Sequence, residues 1–551
     1  MNKPLLLLCC LLLSLSLTPK VVAAEDSERL QATEQQALES LLTELTSASL
    51  SASAALLGQI EELGGRAVLP LFVSMLAGNL YFDDSSRQVL DMREDSQGVR
   101  TGTDILRGTD VEAMMGRSLS KIRVNNRLRV ALREAIARIN LLEGNQAQRK
   151  SAALEMLNDL TDGNVALLRQ AQSAEQDRAV VAIITTGLAM HTLSEPALYP
   201  QIERITAAER LGESLDGPVR NLLLSMLDEQ GRNEQDVAVR AAVAKAVAGI
   251  EQRVSFYLLV EQLFYGLSLG SVLLLAAIGL AVTFGVMGVI NMAHGEMLML
   301  GAYTTYVVQL LMPEFINYSL WVAVPAAFMV SAVAGVLIQR YVIRYLNGRP
   351  LETLLATFGI SLILQQTVRT IFSPLNRRVV SPEWMSGAWE INPVLSFTNN
   401  RLFILLFAII VFAILLLILK KTRLGLQVRA VSQNRDMAKA MGIRTDRVDA
   451  MTFGLGSGIA GIAGVALSQL TNVGPNLGQA YIIDSFMVVV FGGVGNLWGT
   501  LVGAFTLGVS AKFLEPATGA VLAKILTLVF IILFIQVRPK GLFPQKGRAA
   551  E

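Results

Sequence analysis

Residues 420–447 read KKTRLGLQVRAVSQNRDMAKAMGIRTDR, a basic and polar stretch between two long apolar runs. Lysine and arginine far outnumber aspartate in it. Because basic residues close to membrane spans resist translocation, this loop is predicted to lie in the cytoplasm. Residues 436–443 predict a short helix that ends at Gly442, since glycine readily adopts the left-handed conformation at a helix end. A pore driven by a separate motor protein would need such a helix on its cytoplasmic face.

The composition divides the chain into two halves. Of its 551 residues, 52% are hydrophobic and 17% are charged, with a mean hydropathy of +0.48 and a net charge of +2. Residues 25–253 are rich in charged side chains, whereas apolar runs long enough to span a bilayer dominate from Gln262 onward. We therefore predict an all-α protein, with an exported helical domain at 25–253 and a polytopic α-helical membrane domain at 254–551.

The membrane half contains a series of candidate spans. They cover 262–284, 290–311, 319–340, 351–371, 402–420, 448–469, a broken pair at 483–495 and 498–514, and 520–537. The basic C-terminus should lie in the cytoplasm together with the 420–447 loop. An odd number of crossings is then required, and the broken segments leave the total open.

Residues 1–24 have the pattern of a secretory signal peptide. Lys3 precedes an apolar core at 5–17, and Val22-Ala23-Ala24 forms a small-residue cleavage site. An uncleaved anchor is the alternative, but the core is short and Pro19 follows it. The domain behind it should be periplasmic and the protein should lie in a bacterial inner membrane. Both cysteines, Cys9 and Cys10, fall in this segment, which excludes disulfides and cysteine metal sites from the mature chain.

The exported half is predicted to be helical. Residues 131–142, 151–160, 164–174 and 237–250 carry apolar residues at helical spacing, and two of these segments resemble each other weakly, as in a solenoid. Residues 79–110 are rich in glycine, aspartate and serine, which indicates a small irregular or β element. No constellation of catalytic residues occurs here, so an interaction or scaffolding module is the best interpretation.

Polar residues within the membrane half suggest a solute pathway. Asn291, His294 and Glu296 directly follow the first span, and ionisable groups in a membrane usually face a bundle interior or water. In one interpretation they line a pathway where the helix is broken. In the other, Asn291 and Glu296 cap a helix and His294 bonds to a carbonyl; we weigh the two evenly. Asp484 has the same two interpretations, with helix capping slightly favoured, and Gln365 is a further pathway candidate.

Glycines occur in two sets. Gly454, Gly456, Gly458, Gly461 and Gly464 recur along one span, where small residues let helices approach closely. The stretch 491–499, FGGVGNLWG, contains Gly492, Gly493 and Gly495 and is denser in glycine than packing needs. It predicts a backbone break at membrane depth, which is tolerated only where it is buried or lines a cavity.

Four segments now support a family resemblance. They are 288–296 (GVINMAHGE) with 301–303, 425–442, 491–499, and 538–543 (RPKGLF). Over residues 258–545 the chain resembles the permease subunits of ABC importers for branched-chain amino acids and urea. The wider class carries Glu-Ala-Ala, three residues, then Gly in its docking loop. Here only Ala438 and Gly442 match that pattern, because Asp436 and Met437 replace the first two positions.

The resemblance implies a function and a set of partners. It implies that Arg429, Asp436, Ala438 and Gly442 belong to the ATPase-coupling loop. The implied partners are a second homologous permease subunit, two cytoplasmic ATPase subunits, a periplasmic solute-binding protein and the lipid bilayer, with no nucleic acid. The long exported domain and residues 481–498 are more similar to the urea type, so urea is favoured and branched-chain amino acids are the alternative. The residues themselves do not decide between urea and branched-chain amino acids.

The source of energy is inferred from a missing motif. The sequence contains no Gly-x-x-x-x-Gly-Lys-Ser/Thr phosphate loop, so ATP should be bound by partner subunits and this chain needs no cofactor or metal. A channel or ion-coupled carrier without a motor is the second hypothesis. An intramembrane enzyme using His294 and Glu296 is the third hypothesis. It is disfavoured because the histidine has no serine, cysteine or second histidine at motif spacing to act with it.

Overall fold

The computed structural model describes residues 32–47, 52–83, 88–94, 100–105, 110–111, 119–228, 234–346 and 348–543. The predicted signal peptide at 1–24 lies outside these residues. The chain divides into two compact units, residues 1–250 and 251–551, here called the N-terminal unit and the membrane unit. The all-α prediction is confirmed for the membrane unit, while the N-terminal unit adds a small sheet to its helices.

From residue 32 onward, the described part of the N-terminal unit contains three helices followed by a five-stranded antiparallel sheet. The helices are α1 (Ala32–Ser47), α2 (Ala52–Gly64) and α3 (Leu69–Ala77). The strands are β1 (Leu80–Asp83), β2 (Val89–Glu94), β3 (Arg100–Asp104), β4 (Asp110–Val111) and β5 (Leu119–Lys121), in the order β4-β3-β2-β1-β5. The predicted β element at 79–110 is thus confirmed and extends to Lys121. Phe72 and Leu80 are buried in the core that the sheet shares with these helices.

Six further helices complete the part of this unit before residue 228. They are α4 (Asn126–Glu143), α5 (Gln146–Met156), α6 (Asp162–Ala174), α7 (Arg178–Ser194), α8 (Gln201–Leu211) and α9 (Gly217–Leu227). Polar side chains set their beginnings: Asn125 accepts from the Leu128 amide at 2.8 Å, and Asn145 with Gln148 forms a capping box at α5. The cap at Asn145 starts α5 before the predicted 151, and a turn ends it before 160.

One helix, α10 (Val237–Met287), contains both the last predicted helix of the exported domain and the first predicted span. The boundary between the two units falls inside it. No proline or glycine occurs between residues 250 and 265, so nothing in the local sequence ends the helix there.

The membrane unit continues with α11 (His294–Leu311), α12 (Ile316–Tyr341), α13 (Pro350–Phe372), α14 (Asn399–Lys421), α15 (Arg423–Gln433), α16 (Arg435–Ala440), α17 (Thr445–Ser468), α18 (Leu477–Gly492), α19 (Leu497–Thr518) and α20 (Ala520–Val537). A short hairpin of β6 (Ala388–Glu390) and β7 (Ser396–Thr398) connects α13 to α14. Each predicted span corresponds to one of these helices or to the end of α10. In the described part of the chain, seven helices are long and apolar enough to cross a membrane, while α18 is apolar but shorter.

Glycines allow the helices at the centre of the membrane unit to approach each other closely. A Cβ atom added to Gly301 on α11 would lie 2.0 Å from the Gly461 carbonyl oxygen on α17, and one added to Gly464 would lie 2.0 Å from the Leu298 oxygen. The other glycines of the α17 set also face atoms of α10 or α12 at short range. The predicted packing role of these glycines is therefore confirmed.

Candidate functional site

The connection between α10 and α11, residues 288–293, is fastened by side-chain hydrogen bonds. Gly288 has φ of +66°, which ends α10 in a left-handed conformation. The Asn291 side chain accepts a hydrogen bond from the Ala293 amide at 3.0 Å, and the Met292 amide donates to the Thr357 hydroxyl of α13 at 3.2 Å. These bonds satisfy backbone groups that the helix break would otherwise leave unpaired.

His294 fixes the first turn of α11 against α10. Its Nε2 lies 2.9 Å from the Ala276 carbonyl oxygen, so Nε2 carries a hydrogen and donates it. Ala276 lies about three turns before the end of α10, so the connection turns back alongside that helix. The histidine is fully buried, and its Nδ1 has no hydrogen-bond partner among the described residues. The alternative interpretation of His294, a bond to a neighbouring carbonyl, is the contact that occurs.

Glu296 joins α11 to the middle of α13. Its Oε1 accepts from Ser361 Oγ at 2.9 Å and from Gln365 Nε2 at 2.7 Å. Its Oε2 is buried and has no partner among the described residues. Glu296 therefore does not cap a helix end, contrary to one interpretation of the sequence. A buried carboxylate oxygen without a partner is costly, and it is the atom of this cluster best placed to meet a proton, water or solute.

The predicted pathway residues form three separate groups. Asn291, His294, Glu296 and Gln365 come together at the α10–α11 connection, here called the junction cluster. Asp484 lies elsewhere, in the middle of the continuous helix α18, with its Oδ2 2.9 Å from Lys524 Nζ of α20. The capping interpretation of Asp484 is wrong, because α18 begins at Leu477 and Asn476 occupies the N-cap position.

The third group contains Gly492, Gly493 and Gly495, which form the tight connection between α18 and α19. Gly493 and Gly495 have φ of +105° and +78°, conformations that favour glycine. The C-terminal segment covers this turn, since the amide of Leu542 donates to the Phe491 oxygen at 2.9 Å and that of Phe543 to the Gly492 oxygen at 3.2 Å. The predicted backbone break exists, with Gly492 and Gly493 buried and residues 494–497 partly buried.

The predicted coupling loop contains two helices, α15 and α16. The Asn434 side chain caps α16 by accepting from the Met437 amide at 2.9 Å. The helix ends with Gly442 at φ of +83°, while the Ile443 amide donates to the Ala438 oxygen at 3.1 Å, as in a Schellman motif. The short helix and its glycine stop are thus where the sequence predicts them.

The loop has one buried side and one exposed side. Ala438 is buried in a cluster with valines of α10, α15 and α17, and Arg435 forms an ion pair with the buried Asp449. Arg429 and Asp436 are exposed. Met437 and Met441 are 61% and 78% exposed, an unusual position for apolar side chains. The outer side of α16 is therefore an adaptable apolar surface suited to a protein partner.

The sequence analysis named Gln365 but missed the other polar side chains of α13 that lie on the same face. Thr353, Thr357, Ser361 and Gln365 recur every four residues and are all buried, whereas Leu351 and Leu355 of the same helix are exposed. Residues four apart share one face of a helix. A polar stripe at this spacing in an apolar helix was the signal that could have revealed them. Lys524 was missed because no local pattern links it to Asp484.

Comparison with known proteins adds an independent line of evidence. A family model described as a branched-chain amino acid transport system permease component matches residues 262–535. The high-affinity branched-chain amino acid transport system permease protein LivH of Salmonella typhimurium is 31% identical over 298 residues, which cover 52% of this chain and 96% of that protein. BraD of Pseudomonas aeruginosa, described in the same words, is 29% identical over 298 residues, with the same coverage of 52% and 96%.

A more distant relative extends the comparison to an archaeon. The probable branched-chain amino acid transport permease protein LivH of Methanocaldococcus jannaschii is 27% identical over 288 residues, covering 49% of this chain and 88% of that protein. No solved structure matches the chain. The family model begins after the N-terminal unit ends, so the membrane unit carries the relationship. Since this unit matches nearly the whole length of the Salmonella protein, the chain belongs to the family of branched-chain amino acid transport system permease components.

Proposed function

We propose that this chain is a permease subunit of an ABC importer that moves branched-chain amino acids into the cytoplasm. The observation that carries the proposal is the match of the membrane unit to almost the full length of amino-acid permeases. The curated relatives support the alternative substrate of the sequence analysis better than urea, which none of their descriptions mentions. The preference for urea has no support from these comparisons.

The proposed partners follow from the architecture of such importers. A second permease subunit would complete the pore, a periplasmic binding protein would deliver the solute, and two ATPase subunits would dock on the coupling loop. The exposed methionines of α16 and the absence of a phosphate loop in the sequence support a separate motor.

Dependence on ATP distinguishes this proposal from a channel or an ion-coupled carrier. In inside-out membrane vesicles that contain the whole importer, with leucine and its binding protein inside, ATP outside should drive leucine out of the vesicle. An ionophore that collapses the ion gradients should leave this movement intact. ATP-independent movement that the ionophore abolishes would contradict the proposal and favour the carrier.

The proposed orientation places the N-terminal unit in the periplasm. If each of the helices α10–α14 and α17–α20 crosses once, the loop with Arg344 and Arg349, the 420–447 loop and the C-terminus all lie in the cytoplasm. The connections 288–293 and 493–496 then start from the cytoplasmic side as well. This arrangement has an odd number of crossings, as the basic loops require.

Protease accessibility tests this orientation. A tag inserted after Gly144, an exposed turn between α4 and α5, should be cleaved when protease is added to spheroplasts. A tag placed after residue 546 should be cleaved only after the cells are lysed. Protection of the tag at Gly144 in intact spheroplasts would overturn the proposed topology.

The junction cluster is proposed to lie beside the solute route. Glu296→Gln keeps the shape of the side chain and the bond to Ser361, so the amount of protein in the membrane should be unchanged. If Oε2 meets the solute or its water, uptake per molecule should fall roughly tenfold or more, the effect of losing one hydrogen bond to a charged group. Ser361→Ala is the control, because Gln365 still binds Oε1 in that variant. Uptake that stays proportional to protein amount in the Glu296→Gln variant would make the cluster purely structural.

His294 provides a second measurement at the same cluster. Glutamine can still donate to the Ala276 carbonyl, whereas leucine removes this hydrogen bond, which contributes about 0.5–1.5 kcal/mol. His294→Gln should therefore retain more uptake than His294→Leu. Equal behaviour of the two variants would remove His294 from the proposed pathway.

A further inference from the structure

The ion pair between Asp484 and Lys524 occupies an unusual place in the membrane unit. It joins the middle of α18 to the beginning of α20. Nζ of Lys524 also lies 3.4 Å from the Ala480 carbonyl oxygen. The Asp484 side chain is 19% exposed and that of Lys524 is 53% exposed. Both helices belong to the bundle that the family comparison covers.

Contact with lipid would be unfavourable for this ion pair. Charged side chains within spans are costly and face protein or a water-filled cavity. Two exposed neighbours of the pair, Ile483 on α18 and Val521 on α20, are apolar. A face that must meet lipid would carry residues of that kind alone. The half-exposed Lys524, paired with Asp484, therefore indicates that this part of the surface is covered by something polar.

Further polar side chains extend from the pair toward the end of α18. Asn476, Ala480 and Asp484 are four residues apart and so lie along one face of the helix. Asn476 accepts a hydrogen bond at 2.7 Å from Arg369 of α13, and the neighbouring Gln479 is exposed. We call Arg369, Asn476, Gln479, Asp484 and Lys524 the polar stripe. It includes residues of three helices. It runs from the end of α13 and the beginning of α18 to the middle of α18 and the beginning of α20.

We infer that the polar stripe faces the aqueous solute route, closed on its other side by a second permease subunit, and that Asp484 and Lys524 bind the ammonium and carboxylate groups of an α-amino acid. The inference rests on the proposed transport of amino acids and adds the residues that recognise them. An α-amino acid carries both charges on one carbon, so its ammonium can pair with Asp484 while its carboxylate pairs with Lys524. In the absence of solute the two side chains satisfy each other at 2.9 Å. Urea, which has no charge, can form hydrogen bonds with these side chains but no ion pair.

Neutralising the pair tests this role in cells that contain the whole importer. Asp484→Asn combined with Lys524→Gln should lower the maximal rate of leucine uptake per membrane-inserted molecule at least about tenfold. The matched control is Lys512→Gln with Glu515→Gln, which neutralises a partly exposed pair within α19 and should leave uptake near the wild-type rate. Wild-type cells that fail to take up leucine would refute the proposed function itself.

The single variants separate solute binding from a structural ion pair. If the pair only stabilises the fold, Asp484→Asn should be harmful and the doubly neutral variant should recover, because replacing both members of an ion pair with neutral groups costs little. Recovery of wild-type uptake in the double variant would overturn the inference. Persistent loss in the double variant, with normal protein amount, would support it.

Cysteine labelling gives a result that does not depend on those variants. The only cysteines of the chain are Cys9 and Cys10, so a single new cysteine can be followed once these two are replaced by serine. Gln479→Cys should react with a membrane-impermeant thiol reagent, and excess leucine should slow the reaction. Leu526→Cys, on the far side of α20 from Lys524, should not react. A Gln479→Cys thiol that is unreactive, or that reacts at the same rate with leucine present, would contradict the inference.

Discussion

Gly301→Ala is expected to destabilise the membrane unit severely. The added Cβ would lie 2.0 Å from the Gly461 oxygen and 2.6 Å from its Cα, and backbone atoms cannot rotate away as a side chain could. Helices α11 and α17 would have to separate at the centre of the bundle, and overpacking of this kind costs about 1–3 kcal/mol. The melting temperature in detergent should fall by roughly 4–8 °C for a loss of about 2 kcal/mol, and less full-length protein should accumulate in the membrane.

Gly359→Ala is the matched control for that experiment. Gly359 also lies within an apolar helix, α13, but a Cβ added there meets no atom within 4 Å. Its replacement should leave the melting temperature unchanged or raise it slightly, since alanine favours a helix more than glycine does. If both variants melted at the wild-type temperature, the close approach of α11 and α17 would be incorrect.

Met437→Asp combined with Met441→Asp is expected to abolish uptake while the chain remains folded and inserted. Met437 on α16 and Met441 directly after it are both exposed, so charging them disturbs no internal packing. If an ATPase subunit docks there, two charges buried in the interface without partners should cost several kcal/mol and uncouple the pore from its motor. Uptake of leucine and the amount of co-purifying ATPase subunit measure the two consequences.

The exposed position of these methionines makes them a better test than Ala438. Ala438→Arg would place a charge in the valine cluster beneath α16 and would unfold the loop rather than only block docking. Ile202→Asp is the control, because Ile202 is equally exposed, at 77%, but lies on α8 of the N-terminal unit. Normal uptake by the methionine variant would refute docking on α16.

The spans were predictable from the sequence because each is a local property of one apolar segment. The same holds for the stop at Gly442, where a single glycine decides the helix end. The continuity of α10 was predicted less well. The change in composition near residue 254 suggested a boundary, but a change in polarity does not by itself end a helix, and no proline or glycine occurs there.

The candidate site was predictable only in part. The position of Asn291, His294 and Glu296 at a helix break follows from neighbouring residues. Their partners on α13 and α10 come from other helices, so only packing could show that Glu296 meets Ser361. Asp484 illustrates the same limit, because its role depends on Lys524, which is forty positions away in sequence and 2.9 Å away in space.

The uptake of two labelled solutes distinguishes a leucine permease from a urea permease. Initial rates for radiolabelled leucine and radiolabelled urea should be measured in cells that lack only this gene and in the same cells with the gene restored. If the chain is an amino-acid permease, restoring the gene should restore leucine uptake and leave urea uptake unchanged. Restored urea uptake, with leucine uptake the same in both strains, would contradict it.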